Sequence, residues 1–191
     1  MRRLTWVALA LVAALSVGGG TTSATEKVTE FDVHVGDAFI MGTFGQAATD
    51  IAGATNGDTI ELLFTGRIDP QRNRAEGDGG FRQFDKSGKL LDFGTFTAKH
   101  LMSFLDLGPA AGTPQTWHRG RAKILVSAVG QTKAFHATLS VDCMFGPAPP
   151  PPPDFEEGTF FDIKGGPNFN ETVNETNIFN LFVAVSEDSE D

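Results

Sequence analysis

The stretch Thr116-Trp117-His118-Arg119-Gly120-Arg121 has the residue types best suited to recognition in this chain. It sets Trp117 beside three potential cations, His118, Arg119 and Arg121. An indole face stacks on a sugar ring or a cation, and a guanidinium fork donates paired hydrogen bonds to a carboxylate. These four residues are candidate ligand-binding groups for a sugar or a carboxylate. The plainer alternative makes Trp117 a cap on the end of a hydrophobic core. A second stretch, Asp69 to Asp78, offers Asp69, Asn73, Glu76 and Asp78 as oxygen donors near glycines, the donor type that calcium prefers. Its spacing is not that of an EF-hand, and Arg72 and Arg74 in the same stretch repel a cation. A polar, turn-rich connection is the alternative. Calcium is the ion these oxygen donors would suit, and no other cofactor is implied by this stretch.

Among the remaining imidazoles, His34 and His136 lie on the polar faces of two strand-like segments. If those strands were neighbours, the two rings could share a metal. Cys143, the only cysteine, falls on an apolar face. A buried thiol is expected there, with an intermolecular disulfide as the alternative. Asn170-Glu171-Thr172 and Asn174-Glu175-Thr176 match the glycosylation sequon, which matters only in a host that uses it. The chain has no G-x-S-x-G elbow, no H-E-x-x-H, no Walker lysine loop, no dinucleotide glycine fingerprint and no CxxC. Hydrolysis by paired carboxylates needs no such signature. With 24 acidic residues, though, the linear sequence selects no pair.

These residues must be positioned by β-structure. Phe31-Asp32-Val33-His34-Val35 alternates apolar and polar side chains, as does Phe135 to Cys143. A period of two is that of a half-buried strand. Ile60, Leu62, Phe64 and Ile68 share one face of a third, and Asp85-Lys86-Ser87-Gly88 and Gly130-Gln131 read as hairpin turns. Ala38 to Phe44 reads as a further short apolar run, Asp69 to Gly80 as a polar loop, and Ala98 to Leu105 as extended chain or a helical turn. About nine strands result, with turn signals every ten or so residues. That pattern predicts an all-β fold, an antiparallel sandwich of jelly-roll type or a small barrel. Phe39, Phe44, Phe64, Phe93, Phe96, Phe135 and Phe179 are the expected core, drawn from 17 Phe in a chain without Tyr.

Residues 1–24 read as a signal peptide that forms a helix. Arg2 and Arg3 precede an apolar run from Leu4 to Val17, and small residues follow to Ala24. The run is too short to span a bilayer, so no membrane insertion is expected after processing. Residues 25–146 then form the main β-domain and 147–154 a proline-rich linker. Residues 155–185 supply C-terminal strands that pack on the main domain, and 186–191 form an acidic tail. Asn177 to Val185 is apolar on both faces and needs cover on both. It either folds back into its own sheet or self-associates by adding to a neighbouring subunit, and the short tether favours folding back.

The formal net charge is −9; loss of Arg2 and Arg3, with no acid in residues 1–24, makes it −11. Such a chain lacks the basic surface that displaces counterions from nucleic acid, so nucleic-acid partners are excluded. The expectation is a secreted, extracellular or periplasmic, non-catalytic β-domain with a structural or binding role. The alternatives are a secreted hydrolase on a jelly-roll scaffold and a barrel-type carrier of a small ligand.

Overall fold

The computed structural model describes residues 30–45, 49–144, 155–173 and 180–185. The expected signal peptide, the proline-rich linker, residues 177–179 and the acidic tail lie outside the described residues. In chain order the elements are β1 (Glu30–Val35), α1 (Ala38–Phe44), β2 (Asp50–Gly53), β3 (Thr59–Asp69), β4 (Arg74–Phe84) and β5 (Leu90–Pro109). They continue with β6 (Trp117–Val129), β7 (Ala134–Cys143), β8 (Gly158–Ile163), β9 (Asn168–Phe169), β10 (Glu171–Thr172) and β11 (Asn180–Val185). The count exceeds the expected nine because β9 and β10 are two-residue strands, too short to carry an alternation. Among the described residues no helix is long and apolar enough to cross a membrane.

All eleven strands belong to one sheet, and every pairing is antiparallel. Neighbours run β10-β2-β3-β1-β11-β6-β7-β8-β9, with β4 and β5 bridging β3 to β6. The path β1-β3-β4-β5-β6-β11 returns on itself. However, β11 meets β6 through only two residue pairs, and β2-β10 and β7-β8-β9 branch away. The architecture is therefore a many-stranded antiparallel sheet folded around its core, and not a clear barrel. Register shifts interrupt the 20-residue β5 three times against β6 and once against β4, the kind of irregularity that bends a strand. No helical turn forms within 98–105.

The expected loop at 69–80 is instead a hairpin, β3 paired with β4 from Thr59↔Phe84 to Asp69↔Arg74. Its glycines Gly77, Gly79 and Gly80 are strand positions in β4, and the Phe96 ring lies over Gly79. Phe64, Gly79 and Phe96 form one cross-strand row, and the two rings stack with centroids 6.0 Å apart. A Cβ at Gly79 would come within 2.2 Å of the Phe96 ring and 2.5 Å of the Leu63 carbonyl oxygen. Only glycine leaves room for both rings to cover the backbone.

Ala38–Phe44 is a helix and not a strand. Asp37 caps it by accepting the Ile40 N–H, and Gly45 ends it in the left-handed region at φ 70°. On β11, Phe182 and Ala184 lie beside the buried Val33 and Phe31, whereas Leu181 and Val183 lie beside His34 and Trp117, the two residues on which rings of α1 pack. From α1, Phe39 stacks on His34, Phe44 packs on Trp117, and Ile40 is buried. Residues 180–185 thus insert between β1 and β6 of their own chain. This is the fold-back arrangement: β11 pairs with β1 over all six residues and with β6 through Phe182 and Val183.

The core is rich in phenylalanine. Phe64, Phe96, Phe161, Phe169 and Phe182 are fully buried, each contributing roughly 1.5–3 kcal/mol from burial alone. Phe44 and Phe135 pack at its margin, whereas Phe39 and Phe93 are exposed at 40% and 46%. Phe179 lies outside the described residues. Cys143 is fully buried on the inner face of β7, as expected of a thiol on an apolar strand face.

Candidate functional site

The alternation of β6 divides its N-terminal end between two environments. His118, Gly120 and Ala122 face the core, and Trp117, Arg119 and Arg121 share the opposite face. Trp117 packs on Phe44 with ring centroids 5.7 Å apart, in the position of a cap on the core margin. His118 is buried, its Nδ1 lies 2.8 Å from the Asp106 carboxylate, and its ring meets Phe31 edge-on. Burial alone would raise the Asp106 pKa, but the hydrogen bonds from His118 and the Gly108 N–H hold it below the usual carboxylate range.

Arg119 is also buried, at 6% exposure. Its Nη2 donates to the Leu107 carbonyl at 3.3 Å, and its Nε has no partner. Arg121 grips Asp142 across the β6–β7 pair, Nε donating to both carboxylate oxygens at 2.8 and 2.9 Å, while its guanidinium lies over the Phe155 ring at 4.3 Å. The four residues expected to form one binding patch are therefore split between core edge and outer face, and all four have partners within the chain.

The four expected calcium donors are spread along the β3–β4 hairpin. Asp69 accepts the N–H groups of Gln71 and Arg72, each at 3.0 Å, and pairs with the Arg72 guanidinium at 2.8 Å. Burial would raise its pKa, and these bonds lower it instead. Asn73 occupies the left-handed turn position at φ 52°. Glu76 meets Arg74, and Asp78 accepts from Thr97 on β5. The three carboxylates are thus each directed to a partner of their own. Among the described residues no group of three or more His, Cys, Asp or Glu is placed to share a metal ion. His34 and His136 sit on β1 and β7, which are not neighbours. His34 instead bonds Asp37 at 2.6 Å.

One buried polar cluster among the described residues has no counterpart in the sequence analysis. Asp50 on β2, Thr159 on β8 and Asn180 on β11 are buried together at the junction where β11 gives way to β7 beside β6. The Asn180 amide donates to Asp50 Oδ2 at 3.2 Å and to the Asp142 carbonyl at 3.3 Å, and Thr159 Oγ1 donates to Asn180 Oδ1 at 3.2 Å. Glu157, just before β8, accepts the backbone N–H groups of Met144 and Asn180. Its burial, reinforced by the negative charges of Asp50 and Asp142, pushes its pKa up to about 8. Asp50 is likewise raised by burial, against hydrogen bonds from Thr159 and Asn180. At neutral pH Glu157 is therefore mostly a neutral acid beside a second burdened carboxyl. This pattern occurs both in acid–base catalysis and in purely structural ties.

Asp50 is 4% exposed, Thr159 and Asn180 2% each, and Asp142 is fully covered, whereas Glu157 is half-buried. Every one of these side chains bridges two strands or a strand and its flank. No sequence signal marks the cluster, because Asp50 and Asn180 are 130 positions apart.

No protein-family model matches the chain, and no curated protein or solved structure proved significantly similar to it.

Proposed function

We propose that this chain is an exported, non-catalytic β-domain on a sandwich-like folded sheet, with a binding or structural role at the cell surface or outside the cell. The observation that carries this reading is the burial of the acidic cluster. Asp50, Asp142, Thr159 and Asn180 are removed from solvent and committed to holding β2, β7, β8 and β11 together, so a substrate has no approach to them. Export rests on the arrangement of Arg2, Arg3, the apolar run and the small residues up to Ala24. The phenylalanine-packed interior speaks against a carrier, which needs an internal apolar cavity.

The test is expression in a secretion-competent bacterial host, followed by fractionation and intact-mass measurement. The expected product begins at Thr25 and leaves the cytosol. An unprocessed chain that stays in the cytosol defeats the export half of the proposal.

A second reading, a secreted hydrolase, draws on one observation: Glu157, protonated near neutral pH, stands close enough to Asp50 to feel its charge. Two carboxyls with separated roles are what glycoside hydrolysis uses. Turnover that Glu157→Gln abolishes would establish it.

A further inference from the structure

We propose that the outer face of β6, β7, β8 and β9 is a binding site for a neutral saccharide. The proposal rests on the binding-domain reading above and names its ligand class. The strand register lays Lys123, Ser140 and Phe160 side by side on β6, β7 and β8. Continuing the β8–β9 register beyond Phe161↔Phe169 puts Asn170 next to Phe160 in the same row. The alternate residues Ile124, Leu139 and Phe161 are fully buried, so the row faces outward. It lines a groove of about 260 Å³, with Arg121 and Asp162 at its sides. Strands lie about 4.8 Å apart, so four side chains in a row span roughly 14 Å, enough for two or three sugar rings.

The chemistry of the row fits a polyhydroxyl ligand. Phe160 is half-buried and offers a flat apolar face for the C–H surface of a sugar ring. Around it stand a hydroxyl, an amide, an ammonium and a carboxylate, which together supply both donors and acceptors. The charge balance selects a neutral ligand. Arg121 is paired with the buried Asp142, and Lys123 and Asp162 then contribute one charge of each sign. An anionic polymer finds no net attraction in the groove and is repelled by a chain of net charge −9. The platform is carried by strands over a packed core, so little ordering is needed on binding.

The experiment titrates the full chain with soluble oligomers of glucose, xylose, mannose and N-acetylglucosamine, with oligouronates as the charged comparison. Calorimetry reads affinity, and amide chemical shifts locate the site. At least one neutral oligomer is expected to bind with Kd between ~10 μM and ~1 mM, to shift Ser140, Phe160 and Asn170, and to outbind the oligouronates about ten-fold. Phe160→Ala should weaken binding at least ~10-fold with a dispersed amide spectrum. If that variant does not fold, the exposed positions decide: Asn170→Ala and Lys123→Met must each weaken binding several-fold. The proposal is overturned if no neutral oligomer binds at ~10 mM, if oligouronates bind best, if the shifts map elsewhere, or if the variants bind like wild type. A chain that binds no sugar but is exported and shows no turnover loses only this proposal. Turnover abolished by Glu157→Gln removes the non-catalytic reading instead.

Discussion

Glu157→Gln isolates the electrostatic load at the β2–β7–β8–β11 junction. Burial and the neighbouring charges of Asp50 and Asp142 raise the Glu157 pKa from 4.5 to about 8. A raised acid favours the folded state while it is protonated. Its contribution is therefore complete below the unfolded value near 4.5 and is lost as pH climbs through about 8. Each pKa step of one is worth about 1.4 kcal/mol, so the whole effect approaches ~5 kcal/mol. Between pH 6 and pH 9 the loss from this group comes to about 2–3 kcal/mol. The raised pKa of Asp50 acts in the same direction. Asp37, Asp69 and Asp106, whose pKa values are lowered, act in the opposite sense and only at acid pH, below the ordinary carboxylate value of 3.8.

Gln keeps the shape of Glu157 and an oxygen to accept the Met144 and Asn180 N–H groups, yet it never ionises. Urea unfolding of both proteins at pH 6, 7.5 and 9 reads the difference. With a slope of about 2 kcal/mol per molar urea, the wild-type midpoint should fall by roughly 1 M from pH 6 to pH 9, and the variant midpoint by distinctly less. A wild-type midpoint that holds or rises over this range, or a variant that falls in parallel with it, refutes the reasoning.

Three other perturbations address separate parts of the structure. Gly79→Ala drives a methyl group into the Phe96 ring and the Leu63 carbonyl, and should cost about 2–3 kcal/mol; an unchanged melting temperature contradicts the packing described for Phe64 and Phe96. Asn180→Leu strips Asp50 and Thr159 of a buried partner and should lower stability by ~2–3 kcal/mol in urea titration, whereas a neutral result denies the cluster its role in tying β11 down. Arg119→Met replaces a buried cation that has one weak hydrogen bond with an apolar chain of similar reach. It should be neutral or stabilising by about 1–2 kcal/mol, and a large destabilisation would expose a partner for Arg119 that the structure does not show.

How much of this was legible in sequence depended on whether a residue's role was local. β1, β3 and the β6–β7 hairpin follow from alternation, since one buried and one wet face impose a period of two. The β4–β5 turn follows from Asp85, whose carboxylate accepts the N–H groups of Ser87 and Lys89. Gly79 gave no strand signal because the ring that covers it, Phe96 stacked on Phe64, comes from β5, and Gly77 and Gly80 are strand residues through their pairing with Gly66 and Leu63 of β3. Helix α1 has seven residues, too few to display a 3.6-residue period, so only Asp37 and Gly45 mark its ends. The apolar character of β11 was visible, but its neighbours His34 and Trp117 were not, because they come from the distant β1 and β6. Of the expected ligand patch, Arg121 does line a groove, although its neighbours there are Ser140 and Phe160, and Trp117 is turned toward Phe44. The acidic junction unites residues from four elements and left no trace in the linear chain.

On the proposed reading, the buried acids of this domain hold it together and do not turn over substrate. Release of reducing ends from the oligosaccharide panel, followed over pH 5 to 9 with wild type and Asp50→Asn, tests it most directly. The expected result is no release above buffer from either protein. Release by the wild type that Asp50→Asn eliminates while remaining folded contradicts the account.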